Sequence, residues 1–399
     1  MNYIKPNIFC YRLTQMLAWF VSTFIFKRKI LRNELKGVKG PFVLIGNHQA
    51  KLDFANMIGI THRPMSIVVS NSFYNSLPIT NFIKALGMIP KQQFQTTIGD
   101  MKRMKAVIDQ GEALVLYPAG LMCEDGVSTP IPPATYKFLK LLNADIYVVK
   151  TTGTYFAMPK WAKGVRPGRT YLDIYKLFSK EELATKPVAE IQKKADEALL
   201  FDAYREQEKL QIRYKNNDNI EGLENVLYMC PHCMTEFSMQ VKNKNTIYCT
   251  NCGHEQVSDK LALLHNHRDL GPELRYVPDW SKLIYGTLKE RLKQDPSYVL
   301  QTATKIHMID YKKHAFTEVG HGMVSLSKEH FQIDGQINGQ TVNLQFPITN
   351  IPCLPFSPGK YLEIQHGQDI YRCVLEDGRL VMKYINMIKA FFELSQAVK

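Results

Sequence analysis

Acid is scarce at the start of this chain. Through residue 40, Glu34 stands alone against Lys5, Arg12, Lys27, Arg28, Lys29, Arg32, Lys36 and Lys39. Over all 399 residues the net charge is +13. That points to an anionic partner: a lipid surface, an acidic carrier protein, a phosphorylated ligand or nucleic acid. Long apolar runs are missing as well. The uncharged segment Leu13 to Phe26 is fourteen residues long, short of the ~20 a spanning helix needs. No small-residue cleavage site follows it, which argues against a secretory signal. Bounded by Arg12 and Lys27-Arg28-Lys29, it reads as a helix lying on a membrane, its apolar face among acyl chains and its cations at anionic headgroups. The competing readings are a helix packed on the protein's own core and a tilted single span. Several site signatures are absent: no Gly-x-Ser-x-Gly elbow, no His-Glu-x-x-His, no Gly-x4-Gly-Lys phosphate loop and no Gly-x-Gly-x-x-Gly. There is no internal repeat. What the chain does have is a hydrophobic content of 45% and length enough for two or three cored domains, which excludes wholesale disorder.

Four of the eight cysteines form one cluster. Cys230-x2-Cys233 and Cys249-x2-Cys252 are separated by fifteen residues, the spacing of two knuckles that close four thiolates around Zn²⁺. Four sulfurs leave no position for water, so the metal is expected to be structural. Gly253 follows the second pair, where a positive φ is often needed. Cys230-Pro231-His232-Cys233 alone copies a thiol–disulfide motif, but the second pair and the lack of a thioredoxin-like unit oppose that reading. A nucleic-acid ribbon is opposed by the absence of an Arg and aromatic run between the knuckles. His232 and His254 are then spare and expected in solvent. Cys10, Cys123, Cys353 and Cys373 are scattered and read as reduced thiols, which suits the cytosol.

From residue 41 to about 180, apolar strands (43–45, 67–69, 113–117, 146–149, 171–175) alternate with helical stretches (53–59, 79–86, 99–110, 134–142). That alternation argues for an α/β layer structure with a substantially parallel sheet. A charged helical stretch, 181–215, leads to a linker at 216–222. The expected divisions are a surface helix in 1–40, an α/β domain in 41–215, a zinc ribbon in 222–258, a helical connector in 259–302 and a β-rich domain in 303–399. Turn signals in the last are Asp334-Gly335, Asn338-Gly339, Pro358-Gly359 and Asp377-Gly378, and 381–398 is apolar at helical spacing. Strands closed by one helix resemble the pleckstrin-homology arrangement.

Chemistry concentrates at Asn47-His48-Gln49-Ala50-Lys51-Leu52-Asp53. Here a buried strand gives way to a helix predicted over 52–60, and the C-terminal end of a strand is where α/β folds expose reacting groups. A histidine held by a carboxylate can take a proton from an alcohol near neutral pH. Spacing alone is weak: His254 and Asp259 also stand five apart, inside the zinc module. Context decides for His48. After it come Leu86-Gly87-Met88-Ile89-Pro90-Lys91, then Gly111-Glu112-Ala113-Leu114-Val115-Leu116-Tyr117-Pro118-Ala119-Gly120, then Val148-Val149-Lys150 with Gly153.

This ordered series resembles the glycerolipid (lysophosphatidic acid, or 1-acylglycerol-3-phosphate) acyltransferases over roughly residues 25–180, and fits a bacterial source. The resemblance implies a mixed sheet flanked by helices. It implies His48 as the base on an acceptor hydroxyl, Asp53 as its orienting partner, and an alkoxide that attacks an acyl thioester with no covalent enzyme intermediate. By the same carry-over Asn47, Lys91, Tyr117, Pro118, Ala119 and Gly120 bind substrate. Three departures stand out. Where the family usually has Phe-Pro-Glu-Gly-Thr-Arg this chain has Tyr117-Pro118-Ala119-Gly120-Leu121-Met122. The arginine that meets the acceptor's phosphate is missing, with Lys91 the nearest cation, and a proline of the fourth block is gone. A second basic patch, Lys160, Trp161, Lys163, Arg166 and Arg169, reads as a headgroup or carrier grip or as a solvated loop. Glu124 and Asp125 are candidates for the missing glutamate.

The expectation is an O-acyltransferase of phospholipid synthesis, cytoplasmic and peripheral on the inner face of the cell membrane. It would move a fatty acyl group from acyl-CoA or acyl-carrier protein to a lysophospholipid, 1-acylglycerol-3-phosphate first. Alternatives are a different lipid acceptor, or an inactive lipid- or nucleic-acid-binding protein with a zinc ribbon.

Overall fold

A computed structural model describes residues 5–51, 53–93, 97–268 and 270–397. The chain divides into two compact units. One is Met1–Lys160 with Gly164–Asn217, the other Trp161–Lys163 with Asp218–Lys399.

In the first unit the elements run α1 (Ile8–Phe20), continued by a π-helical turn (Val21–Ile25), β1 (Lys29–Asn33), β2 (Phe42–Gly46), α2 (Asp53–Ile58), β3 (Met65–Ser70), α3 (Asn71–Asn75), α4 (Thr80–Ala85), β4 (Ile89–Lys91), α5 (Ile98–Asp109), β5 (Ala113–Leu116), α6 (Pro133–Leu142), β6 (Asp145–Thr152), α7 (Thr154–Ala157), β7 (Tyr171–Phe178), α8 (Lys180–Thr185), α9 (Val188–Leu199) and α10 (Ala203–Leu210). One seven-stranded sheet, ordered β1-β7-β6-β2-β5-β3-β4, carries them. Every pairing is parallel except β6 with β7. The central strands are continuous apolar runs because both faces are buried. Val43, Ile45, Leu114, Leu116, Ile146 and Val148 face the core under α5, α6 and α9. Their neighbours Phe42, Leu44, Ala113, Val115, Tyr147 and Val149 face the core that α1, α2 and Leu86 complete. The alternation is the two-residue period of a strand filling two layers at once. The helix predicted over 52–60 runs from Asp53 to Ile58, and Leu52 lies outside the described residues.

The N-terminal helix is longer than the fourteen residues of its uncharged core. It starts at Ile8, where Asn7 caps it by accepting from Cys10 N, and Arg12 and Gln15 lie within it, hydrogen-bonded to each other. Ile8–Ile25 spans 18 residues at a mean hydropathy of 1.3, which by length and composition alone is enough to cross a bilayer. Its orientation is inverted relative to an ordinary surface helix. Tyr11, Thr14, Ala18 and Ser22 face inward, and Ser22 Oγ donates to Ala55 O at 3.0 Å. The large apolar side chains Ile8, Phe9, Met16, Leu17, Trp19, Phe20 and Phe24 point out, Phe9 78% exposed.

In the second unit, β8 (Met239–Lys242), β9 (Thr246–Cys249), β10 (Glu255–Ser258) and β11 (Leu264–Asn266) form a four-stranded antiparallel sheet. The stretch expected to be a helical connector therefore begins with a strand. Leu264–Asn266 pairs with Gln256–Ser258 because an edge was open to it. The connector's helix is α11 (Val277–Gln294), whose buried Trp280 donates from Nε1 to Met229 O at 2.9 Å. Next come β12 (Leu300–Asp310), β13 (Ala315–Leu326), β14 (His330–Ile337), β15 (Gln340–Pro347), β16 (Phe356–Ser357), β17 (Tyr361–His366), β18 (Asp369–Leu375) and α12 (Leu380–Ala397). The second seven-stranded sheet is antiparallel throughout, ordered β15-β14-β13-β12-β18-β17-β16. Tyr384 of α12 ties it down by donating to Val324 O at 3.0 Å. Asp334-Gly335, expected as a turn, lies inside β14. A Cβ on Gly322 would stand 2.1 Å from Asp334 O and 2.7 Å from Gly335 Cα, so these glycines allow close strand approach rather than a turn. Asn338-Gly339 is the turn, both at positive φ. Val398, the last residue of the expected terminal helix, lies outside the described residues.

Candidate functional site

Asn47 to Asp53 leaves the C-terminal end of β2 in the middle of the first sheet. Asp53 opens α2 and is 1% exposed. Its Oδ2 accepts from Gln49 N at 2.7 Å and Ala50 N at 2.8 Å, and lies 3.0 Å from His48 Nδ1. Its Oδ1 is buried with no hydrogen-bond partner among the described residues. The carboxylate is thus fixed by the loop's own backbone and by the helix start, where negative charge is favoured, and it orients the imidazole through one nitrogen. That leaves Nε2 for chemistry.

The loop is anchored to β6 and α7. Asn47 Nδ2 donates to Thr151 O at 2.7 Å, and Thr151 N donates back to Asn47 Oδ1 at 2.8 Å. Gln49 Nε2 also donates to Thr151 O, while its Oε1 accepts from Tyr155 N at 3.1 Å. Asn47 therefore braces the loop through both ends of its amide rather than presenting that amide to a ligand. Tyr117 also works from beneath. Its ring stacks on His48 with centroids 4.2 Å apart, and burial next to Asp53 pushes its hydroxyl's pKa well up.

Beside His48 opens a shallow cleft lined by Gly46, Asn47, Pro118, Ala119, Leu121, Ser128, Thr129, Ile131 and the segment Leu199 to Phe201. Of the substrate-binding candidates it gathers Asn47, Pro118 and Ala119. Gly120 turns the chain at φ +72°, its N–H on Tyr117 O. Lys91 stands apart. Its strand is third from β2 in the sheet, about 14 Å away at ~4.8 Å per strand. Its ammonium donates to Gln92 O at 3.0 Å, and burial lowers its pKa. Sequence reasoning missed the wall formed by Ser128, Thr129 and the end of α9, which lies far along the chain from the motif and has no local signal.

The second basic patch is not the solvated loop that was one of its readings. Lys160, Trp161 and Arg166 are 7%, 6% and 5% exposed, whereas Lys163 and Arg169 are exposed. Lys160 Nζ donates to Met122 O at 3.4 Å. Glu124 and Asp125 lie in the same charged neighbourhood: burial, reinforced by both carboxylates and opposed by Lys160, pushes the Cys123 thiol's pKa up. These acids share the surroundings of Cys123 and Tyr204 with Lys160 and Arg166 and are not among the described residues that line the cleft.

The acyltransferase family model matches residues 9–150. Those residues form a domain of the acyltransferase family. Among solved structures the chain is similar to the crystal structure of the 1-acyl-sn-glycerophosphate acyltransferase PlsC from Thermotoga maritima, at 16% identity. The match covers 50% of this chain and 79% of that one, with a TM-score of 0.43. No curated protein matches the sequence. The acyltransferase domain holds β2 to β5, His48, Asp53 and Tyr117, whereas Leu199 to Phe201 of the cleft wall lie beyond the matched residues.

In the second unit Cys230, Cys233, Cys249 and Cys252 bring their sulfurs within 4.8 Å of one another. The Cys230–Cys252 and Cys233–Cys249 pairs are each 3.7 Å apart. A tetrahedron with arms of ~2.3 Å has edges of about 3.8 Å, so the donor set fits Zn²⁺. Asn251 directs N–H donors at Cys249 Sγ (3.4 Å) and Cys233 Sγ (3.5 Å), as thiolates require. The residue after each knuckle has positive φ, Met234 at 58° and Gly253 at 77°. His254 is not in solvent as expected: it is fully buried, with Nδ1 on Leu270 O. Asp259 bonds His265 instead, at 3.1 Å, so the five-residue spacing of His254 and Asp259 has no structural meaning.

Proposed function

We propose that this protein transfers an acyl group from a thioester, acyl-CoA or acyl-carrier protein, to the hydroxyl of a membrane lipid. The observation that carries the reading is the His48–Asp53 pair, a 3.0 Å contact between an imidazole at the cleft and a buried carboxylate held by two backbone N–H groups. In the reaction His48 Nε2 takes the acceptor's proton while Asp53 steadies the charge on Nδ1–H. The acceptor oxygen bonds to the thioester carbonyl carbon, the C–S bond breaks, and the imidazolium returns its proton to the departing sulfur. A positioned base of this kind supplies about 10²- to 10⁴-fold. A lysophospholipid, 1-acylglycerol-3-phosphate among them, is the acceptor class that the family resemblance suggests.

The exposed apolar face of the N-terminal helix, with Lys27 and Lys29 beside it, supports docking on an anionic membrane from the cytoplasmic side. The cysteine cluster reads as a structural zinc ribbon. The strand order and closing helix of the last sheet support a pleckstrin-homology-like accessory domain. The test is thiol release from acyl-CoA and acyl-carrier protein across lipid acceptors, wild type beside His48→Ala. Acceptor-dependent release that disappears in the variant is the expected result. Equal release by both proteins would remove His48 from the chemistry.

A further inference from the structure

We infer that the alcohol presented to His48 is electrically neutral around its reacting hydroxyl: a glycerolipid or other long-chain alcohol with no phosphate beside it. The inference rests on the acyl-transfer reading and sets a neutral alcohol in place of the lysophospholipid that the resemblance suggests. Among the described residues that line the cleft, His48 is the one ionisable side chain. The Asn47 amide is tied to Thr151, and Ser128 Oγ accepts from Phe201 N at 3.2 Å. What remains is the O–H groups of Ser128 and Thr129, neutral donors both, and apolar wall. A phosphate set there would lose its hydration with no countercharge, and the Asp53 carboxylate behind the imidazole would repel it.

Lys91 and Arg103 do not supply the missing charge. Lys91 is about three strand spacings from β2, and its ammonium is folded onto Gln92 O. Arg103 is engaged by Asp100 and by Pro90 O. Residues 92–97 contain no lysine or arginine. Lys51 is exposed and has a partner of its own. Lys160 and Arg166 are buried near Glu124 and Asp125. Met122 stands where relatives carry arginine, so that cation is gone from the loop after β5.

The test compares kcat/KM of the intact, zinc-loaded protein in mixed micelles. Acyl-CoA is the donor, and a 1-monoacylglycerol, a long-chain alcohol and a 1-acylglycerol-3-phosphate of matched chain are the acceptors. At least one neutral acceptor should exceed the phosphate-bearing one by about tenfold or more. Thr129→Lys, which puts an ammonium into the cleft, should move that ratio toward the phosphate by about tenfold. A wild-type preference for 1-acylglycerol-3-phosphate, or equal rates, overturns the inference and leaves acyl transfer standing. An acceptor ratio that Thr129→Lys does not move overturns it too. Release with no acceptor at all takes down both readings.

Discussion

Asp53→Asn isolates the electrostatic part of the candidate site, because it keeps the shape of the side chain and removes its charge. In the wild type, Oδ2 accepts from Gln49 N and Ala50 N and faces His48 Nδ1 at 3.0 Å. An asparagine oxygen in that place can still accept all three. What it cannot do is balance the imidazolium that forms when His48 takes a proton. Two unit charges ~4 Å apart attract by about 4 kcal/mol at an effective dielectric of ~20. Each ~1.4 kcal/mol of barrier is a factor of ten, so kcat should fall on the order of 10³-fold with KM little changed. Folding stability should drop by about 1–3 kcal/mol, as charge-assisted hydrogen bonds become neutral ones. The assay is steady-state thiol release, with a thermal melt to show that the variant is folded. The pair acts as a unit, so His48→Ala with Asp53→Asn should be no slower than His48→Ala alone. A folded Asp53→Asn protein retaining half the wild-type kcat would refute the argument, as would a double variant whose losses multiply.

Metal analysis of the purified protein should give about one zinc per chain, lost in Cys230→Ser, Cys249→Ser. Binding on the order of 10 kcal/mol is folding energy here, so the ribbon should melt with the metal; a folded, metal-free wild type contradicts this. Phe9→Glu with Phe20→Glu should abolish flotation with anionic liposomes while leaving the melt unchanged. Both rings are exposed, and each contributes about 1.5–3 kcal/mol when buried in lipid. Undiminished binding would remove the helix from membrane contact. Gly153 sits at φ +90°, and a Cβ there would come within 2.3 Å of Tyr214 Oη and 3.0 Å of Arg169 O. Gly153→Ala should therefore break the Tyr214–Arg169 hydrogen bond and lower stability by about 1–3 kcal/mol. Gly164→Ala, at φ +80° in open space, should cost only the left-handed backbone strain, about 1 kcal/mol.

Parts of the fold are legible in the sequence for identifiable reasons. β2, β5 and β6 appear as apolar runs because both their faces are covered. β1, Lys29–Asn33, is hidden because an edge strand with a polar, exposed pattern carries no such signal. β4 is three residues long and contains Pro90, too short for any period to register. β11 pairs through its backbone, which leaves no trace in its side chains. Burial of polar groups is the least legible property. Lys160, Arg166 and His254 look solvated by residue type. All three are buried, and Lys160 and His254 are met there by the carbonyls of Met122 and Leu270, which no residue-type rule foretells.

The sequence by itself determined what local chemistry can encode. It set the strand–loop–helix that carries His48 and Asp53 and the four-cysteine spacing that fits a metal. It also set the alternation of strands and helices that makes the first sheet parallel. These are short-range patterns, readable because a strand has a period of two and a metal knuckle a fixed span. Tertiary structure alone decided which surface faces His48. Residues from β2, the loop after β5 and the end of α9 meet around one cleft, and their charges, or lack of them, become a single environment only when the chain folds. It also decided that the N-terminal helix turns Tyr11, Thr14, Ala18 and Ser22 inward and Phe9, Trp19, Phe20 and Phe24 out. The helix carries apolar residues on more than one face, and only packing against α2 selects the one that is buried.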